Sequence, residues 1–152
     1  KFDIVICSQV YEHVPSPEKM MAEILRVLVP GGVCYFAASN RLMWLEPHYN
    51  LPLLSVIPRP LAHVYVKRAQ KADYYHELHY TYWGLKKLVK RFSIIDYTQK
   101  IICDPDKYSV GYMVAPGSLK AKIALLVAQN LIWLCPGYIW LLEKTDQGDP
   151  TG

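Results

Sequence analysis

Apolar and polar positions alternate along the chain in blocks that change character three times. Residues 2–7 (FDIVIC) are almost continuously apolar, the pattern of a strand buried on both faces in a parallel sheet. Ser16-Pro17 follows as a helix cap with proline at the first helical position. Met20, Met21, Ile24, Leu25 and Leu28 then recur at helical spacing, with Glu18, Lys19, Glu23 and Arg26 on the opposite face. Pro30-Gly31-Gly32 is expected to stop that helix, and Val33–Ala38 (VCYFAA) is a second apolar run. Residues 1–38 therefore read as a strand–helix–strand core, with a right-handed crossover.

Residues 39–80 break the rhythm. Pro47, Pro52, Pro58 and Pro60 fall between Glu46 and Leu61 and are expected to fragment any helix there. His48, Tyr49, His63, Tyr65, Tyr74, Tyr75, His76, His79 and Tyr80 crowd the same stretch. A long aromatic insertion after a strand end suits a lid over a ligand site, or a packed cover with no chemistry. Regular pattern returns over 81–144. Thr81 caps a helix to about Arg91 with Leu85, Leu88 and Val89 inward, and Phe92–Ile102 has strand character. Asp104-Pro105-Asp106 reads as a turn, 119–134 as a strongly apolar helix, and Tyr138–Leu142 as a last strand. Residues 145–152 read as a disordered polar tail. The opening KFDIVICSQ, without an initiator Met, is expected to belong to something longer.

Composition narrows the function classes. The chain has 152 residues, 52% hydrophobic and 20% charged, enough for one domain with a core. A formal net charge of +4, with no basic patch among the aromatics, argues against a nucleic-acid partner. Cys7, Cys34, Cys103 and Cys135 are far apart and lie beside apolar residues, which reads as reduced, buried thiols in a cytoplasmic protein. His76 and His79 are the only close histidine pair and no nearby carboxylate completes a ligand set, so no metal is expected. The apolar stretch 119–134 is too short to span a bilayer before Pro136-Gly137. Lys120 and Lys122 beside Trp133 and Trp140 leave open a peripheral membrane contact through 119–142.

Asp3 at the strand start, Glu12-His13-Val14 after the strand, Arg26-Val27-Leu28 and Pro30-Gly31-Gly32 stand in an order and spacing that resemble the second half of a class I S-adenosylmethionine-dependent methyltransferase. Asn40-Arg41, Glu46-Pro47-His48-Tyr49 and His76–Thr81 resemble the small-molecule subgroup, in which a proline-rich segment covers the substrate. The resemblance implies an α/β, Rossmann-like sheet represented by its C-terminal half, strands four to seven in the order four, five, seven, six, the seventh antiparallel. No Gly occurs before Gly31, so the glycine-rich turn and the acidic ribose partner that complete such a cofactor cleft are expected in a missing N-terminal half of the same domain. On this reading S-adenosylmethionine is the cofactor, and Ser8, Gln9 and Val10 line it at the carboxyl end of the first strand. His13 is the candidate general base. Asn40, His48, Tyr49, His76 and Tyr80 are candidates for contact with a small-molecule or lipid-like acceptor. A non-catalytic interaction module and a membrane-peripheral lipid binder remain the alternatives.

Overall fold

The computed structural model describes residues 1–110 and 117–145. Four strands form one mixed sheet, β1 (Phe2–Ser8), β2 (Leu28–Ser39), β5 (Ser93–Asp96) and β6 (Gly137–Glu143), in the order β1-β2-β6-β5. β1 and β2 are parallel, joined through helix α1 (Pro17–Val27). β6 runs antiparallel to both β2 and β5. A two-stranded ladder, β3 (Leu45–Glu46) with β4 (Leu51–Pro52), and helix α2 (Arg59–Arg68) fill the middle of the chain. Helices α3 (Tyr82–Leu88), α4 (Thr98–Cys103) and α5 (Leu119–Asn130) complete the described elements together with two short 3-10 turns, Tyr11–His13 and Ile132–Leu134.

The core lies on one face of the sheet. Cys7, Cys34, Phe36, Ala38, Tyr138, Trp140 and Leu142 point inward from three strands and meet Met21 and Ile24 of α1, Leu85 of α3, and Ala128 of α5. Side chains alternate along a strand, so one register places all of these on the same side. The two-sided burial expected of FDIVIC does not occur. Phe2, Ile4 and Ile6 are 58%, 64% and 74% exposed, because β1 is the sheet edge and its outward face carries no cover among the described residues.

Three other expectations need correction. Pro30-Gly31-Gly32 does not end α1; the helix stops at Val27 and these residues form an irregularity inside β2, between the Phe2 and Ile4 pairings. Gly31 takes φ +73, and a Cβ on Gly32 would lie 2.9 Å from the Val29 carbonyl, so the bend tolerates no side chain at Gly32 without movement. The Lys144 ammonium closes the end of α1 by donating to the Leu25 and Leu28 carbonyls, both at 2.8 Å. The prolines of the middle segment do not prevent a helix; Pro58 and Pro60 sit at the start of α2, where a missing N–H costs nothing. The strand character of 92–102 ends at Asp96. Its carboxylate accepts the Thr98 N–H at 2.8 Å and the Trp140 indole N–H at 3.0 Å, and the Thr98 hydroxyl accepts the Ile139 N–H at 3.1 Å. These bonds turn the chain out of the ladder and into α4. Thr81 caps α3 as expected, accepting the Gly84 N–H. The expected tail lies outside the described residues from position 146 onward.

Candidate functional site

The site is built where β1 ends. Ser8 still pairs with β2 at Ala37. Gln9 then adopts φ 52, an uncommon left-handed conformation for a residue with a side chain. Two bonds hold it there: its N–H donates to the Ala37 carbonyl at 2.9 Å and its side-chain oxygen accepts the Ser39 hydroxyl at 2.6 Å. This reversal leads directly into the Tyr11–His13 turn. Ser8, Gln9 and Val10 stay exposed between the buried Cys7 and Tyr11.

Tyr11, which the pattern did not single out, organises the neighbourhood. Its ring is fully buried, and its hydroxyl donates to the Ser39 carbonyl at 2.6 Å while accepting the Tyr80 N–H at 3.1 Å. Burial pushes this phenol well above its ordinary range, the Tyr80 N–H partly opposing that. Leu78 N–H donates to the Glu12 carbonyl at 3.0 Å. Residues 78–80 are thereby laid along the turn, and His79 is carried in with them.

Three histidines and two carboxylates meet at this point. The His13 and His48 rings stand edge to face with centroids 4.8 Å apart. His48 Nδ1–H donates to Glu46 Oε1 at 2.6 Å, and His79 Nε2 lies 3.5 Å from the same oxygen. The Tyr49 N–H donates to Glu46 Oε2 at 2.9 Å. Burial alone would raise the Glu46 carboxyl; His79, His48 and the Tyr49 N–H outweigh it and hold the group below its ordinary value. Glu46 is fully enclosed, and these three contacts favour its ionised form. Among the described residues both carboxylate oxygens of Glu12 and both ring nitrogens of His79 are buried without a hydrogen bond, His79 Nε2 having only its 3.5 Å approach to Glu46. Such orphaned groups are uncommon and costly.

The predicted site residues separate into those inside this cluster and those outside it. His13 and His48 face one another within it, and Tyr49 borders it, its hydroxyl donating to Glu77 at 3.4 Å. Burial and the Glu77 carboxylate push the Tyr49 phenol up to about 12. Tyr80 touches the Tyr11 ring, but its hydroxyl turns away to Glu18 at 2.9 Å, at the rim of a cavity of about 470 Å³ between α1 and α3. His76 is exposed, its ring beside Tyr74. Asn40 is fully buried, and its amide group faces the Trp133 and Cys135 carbonyls and the Tyr138 hydroxyl at 2.7–2.9 Å. That engagement makes Asn40 a brace between β2 and the start of β6 rather than a contact for an acceptor. His79, weighed from the sequence beside His76, instead meets Glu46, a partner that spacing could not bring forward because 33 positions separate them in the chain. The expectation that no carboxylate completes a histidine set fails here, because the β3–β4 ladder and the 78–80 segment supply both parts. Of the cysteines, Cys7, Cys34 and Cys135 are buried as expected, whereas Cys103 is exposed.

Residues 1–36 match the family model described as a methyltransferase domain. The chain is 42% identical over 41 residues to the ubiquinone biosynthesis O-methyltransferase of Psychrobacter cryohalolentis, a match covering 27% of this chain and 16% of that protein. The enzyme of the same name from Coxiella burnetii is 39% identical over 41 residues, covering 27% of this chain and 18% of that protein. The match thus spans less than a fifth of the length of these relatives. Among solved structures, a putative sarcosine dimethylglycine methyltransferase from Galdieria sulphuraria superimposes with TM-score 0.41 and 14% identity over 96% of this chain and 54% of that one. A phosphoethanolamine N-methyltransferase 2 from Haemonchus contortus, in complex with S-adenosyl-L-methionine, gives TM-score 0.37 and 17% identity over 96% of this chain and 34% of that one. The sequence match bears out the resemblance to a methyltransferase domain over residues 1–36.

Proposed function

We propose, from the methyltransferase-domain match of residues 1–36, that this chain is the C-terminal part of an S-adenosylmethionine-dependent methyltransferase acting on a small-molecule or lipid-like acceptor. The observation that carries the reading is the join of that match to its geometry. The matched segment ends its first parallel strand in the reversed Gln9 turn, with Ser8, Gln9 and Val10 exposed beyond the strand's carboxyl end. Ligands of open α/β sheets bind at that end. The order β1-β2-β6-β5 with β6 antiparallel agrees with strands four, five, seven and six of the family's sheet. On this assignment residues 39–80 are the substrate cover.

Ser8, Gln9 and Val10 fit one wall of a cofactor cleft, since all three residues are exposed there, with the Gln9 side-chain oxygen held by the Ser39 hydroxyl. S-adenosylmethionine would supply an electrophilic methyl group on a sulfonium. The chain's own contribution is placement of the acceptor, the largest lever for a transfer of this kind. His13 is exposed at the turn and can take a proton from an acceptor hydroxyl, with His48 and Tyr49 forming the adjoining wall. The natural protein carrying these residues, assayed for methyl release from radiolabelled S-adenosylmethionine, tests this. His13→Ala should lower turnover more than cofactor affinity. Undiminished turnover would leave His13 a structural residue, and no methyl release with any small acceptor would remove the reading.

One observation favours a lipid-like acceptor or a membrane surface as the partner. Leu119, Ile123 and Leu126 recur at helical spacing on α5 and are all largely exposed. Among the described residues no helix is long and apolar enough to cross a membrane, so the contact would be peripheral. Co-sedimentation with liposomes, lost on replacing these three residues by Ser, would support it; equal sedimentation would exclude this face.

A further inference from the structure

Glu46, His48 and His79 offer ligand atoms that all lie within 4.8 Å of one another. We propose that these three side chains bind one divalent first-row transition ion of the zinc type. Two imidazoles and one carboxylate are the donor set such ions prefer, whereas magnesium and calcium prefer oxygen alone. Glu46 Oε1 lies 2.6 Å from His48 Nδ1 and 3.5 Å from His79 Nε2. Donor atoms around a tetrahedral zinc ion, with bonds of about 2.0 Å, stand about 3.3 Å apart. The two observed separations bracket that value, and the third pair, His48 with His79, lies within 4.8 Å.

The surroundings are those of a ligand set as well. Glu46 Oε2 is fixed by the Tyr49 N–H at 2.9 Å, the kind of outer contact that orients a ligating carboxylate. The His79 ring is packed against Tyr75 with centroids 6.4 Å apart and near-parallel planes. Both of its nitrogens are buried without a hydrogen bond, which an ion on Nε2 would remedy for one of them. Glu46 and His79 are enclosed, but the His48 side chain is 32% exposed and provides the way in. Binding displaces the proton now shared between His48 Nδ1 and Glu46 and releases it to solvent. Glu12, His13 and His48 form a second group of potential ligands, which shares only His48 with the first. Among the described residues both Glu12 oxygens are buried without a hydrogen bond, so this group is the competitor that the test must separate from the first. Ion binding by these three side chains, Glu46, His48 and His79, does not depend on whether the chain transfers methyl groups.

The test is calorimetric titration of the chelator-treated 152-residue chain with zinc chloride, in a Cys103→Ser background that removes the exposed thiol. One equivalent should bind with a Kd of about 1 µM or tighter, and a hundredfold excess of magnesium should not displace it. Cobalt(II) in place of zinc should give the visible absorption of a four-coordinate site. His79→Ala and Glu46→Gln should each weaken binding by at least the ~10–100-fold that loss of an outer contact costs. Far-UV circular dichroism confirms that each variant is folded, and His63→Ala, outside the cluster, should bind as the parent does. Absence of saturable binding would leave a hydrogen-bonded network only and overturn the proposal. Binding that survives in folded His79→Ala but disappears in His13→Ala would overturn it too, placing the ion on the Glu12 group.

Discussion

β1 and β2 are both largely apolar and pair in register from Ile4↔Val33 to Ser8↔Ala37, yet they occupy different environments. Cys7 of β1 lies opposite Phe36 of β2, and both are buried. One residue earlier, Ile6 lies opposite Tyr35; Ile6 is 74% exposed while Tyr35 is half-buried. β2 has a neighbour on each side and β1 has one. A run such as FDIVIC therefore specifies an extended segment and an inward face, whereas the fate of its other face is decided by what packs against the sheet. The inward face of this pair should carry the stability and the outward face should carry almost none.

The sharpest way to break that comparison is Phe36→Ala. The ring is fully buried between Tyr11 and Trp140, with centroids 6.1 and 6.2 Å away. Deleting it should cost about 3–5 kcal/mol, read as a lower urea midpoint at constant slope. A loss below about 1 kcal/mol would mean that this face is not the core. Tyr11→Phe comes next. It keeps the ring but orphans the Ser39 carbonyl and the Tyr80 N–H that share the hydroxyl. The expected cost is about 1–3 kcal/mol, with faster amide exchange at Tyr80 as the local signature.

A smaller effect separates the two faces by chemistry. Burial pushes the Cys7 thiol up to about 11 and the Cys34 thiol up to about 12. A raised folded value means that the neutral form is favoured by folding. That stability is fully present below about pH 9, the thiol's ordinary value, and is lost as pH rises through 11 and 12. Thermal midpoints should accordingly hold steady from neutrality to about pH 9 and fall above it. At pH 8 a thiol reagent should label exposed Cys103 at once, and Cys7, Cys34 and Cys135 only as the chain unfolds. Rapid labelling of Cys7 would place it on the wrong face.

Legibility followed locality. The β1–α1–β2 unit was readable because its signals are short-range: an apolar run, Ser16-Pro17, and helical spacing from Met20 onward. Failures came where a distant partner decides or where the exact helix start decides. Ile101 and Ile102 look like strand residues, but the Asp96 carboxylate, held by Trp140 of β6, starts a helix before them. Pro58 and Pro60 look like helix breakers, yet at the first turn they begin one. The site divides in the same way. His13 and the Ser8–Val10 stretch follow from being next to a strand end. The grouping of Glu46, His48 and His79 depends on a hydrogen bond from Leu78 to Glu12 and on the β3–β4 ladder, neither of which leaves a spacing in the sequence. Asn40, at the predicted place, is consumed by backbone carbonyls of a segment more than 90 positions away.

The smallest expected effect on stability tests the outward face itself. Ile4→Thr with Ile6→Thr replaces two exposed side chains on the edge strand by β-branched residues of similar strand propensity. No buried contact is removed, so the urea midpoint should stay within about 0.5 kcal/mol of the parent. What should change is association. An edge strand presents unpaired backbone groups, and here the apolar side chains of Phe2, Ile4 and Ile6 lie along it at 58%, 64% and 74% exposure, a combination that favours pairing with another surface. Sedimentation velocity over a range of concentrations should show the parent chain associating and the double variant shifted toward monomer. If the variant instead lost several kcal/mol, the outward face would be packed against something in the folded chain. β1 and β2 would then differ less than their exposures indicate.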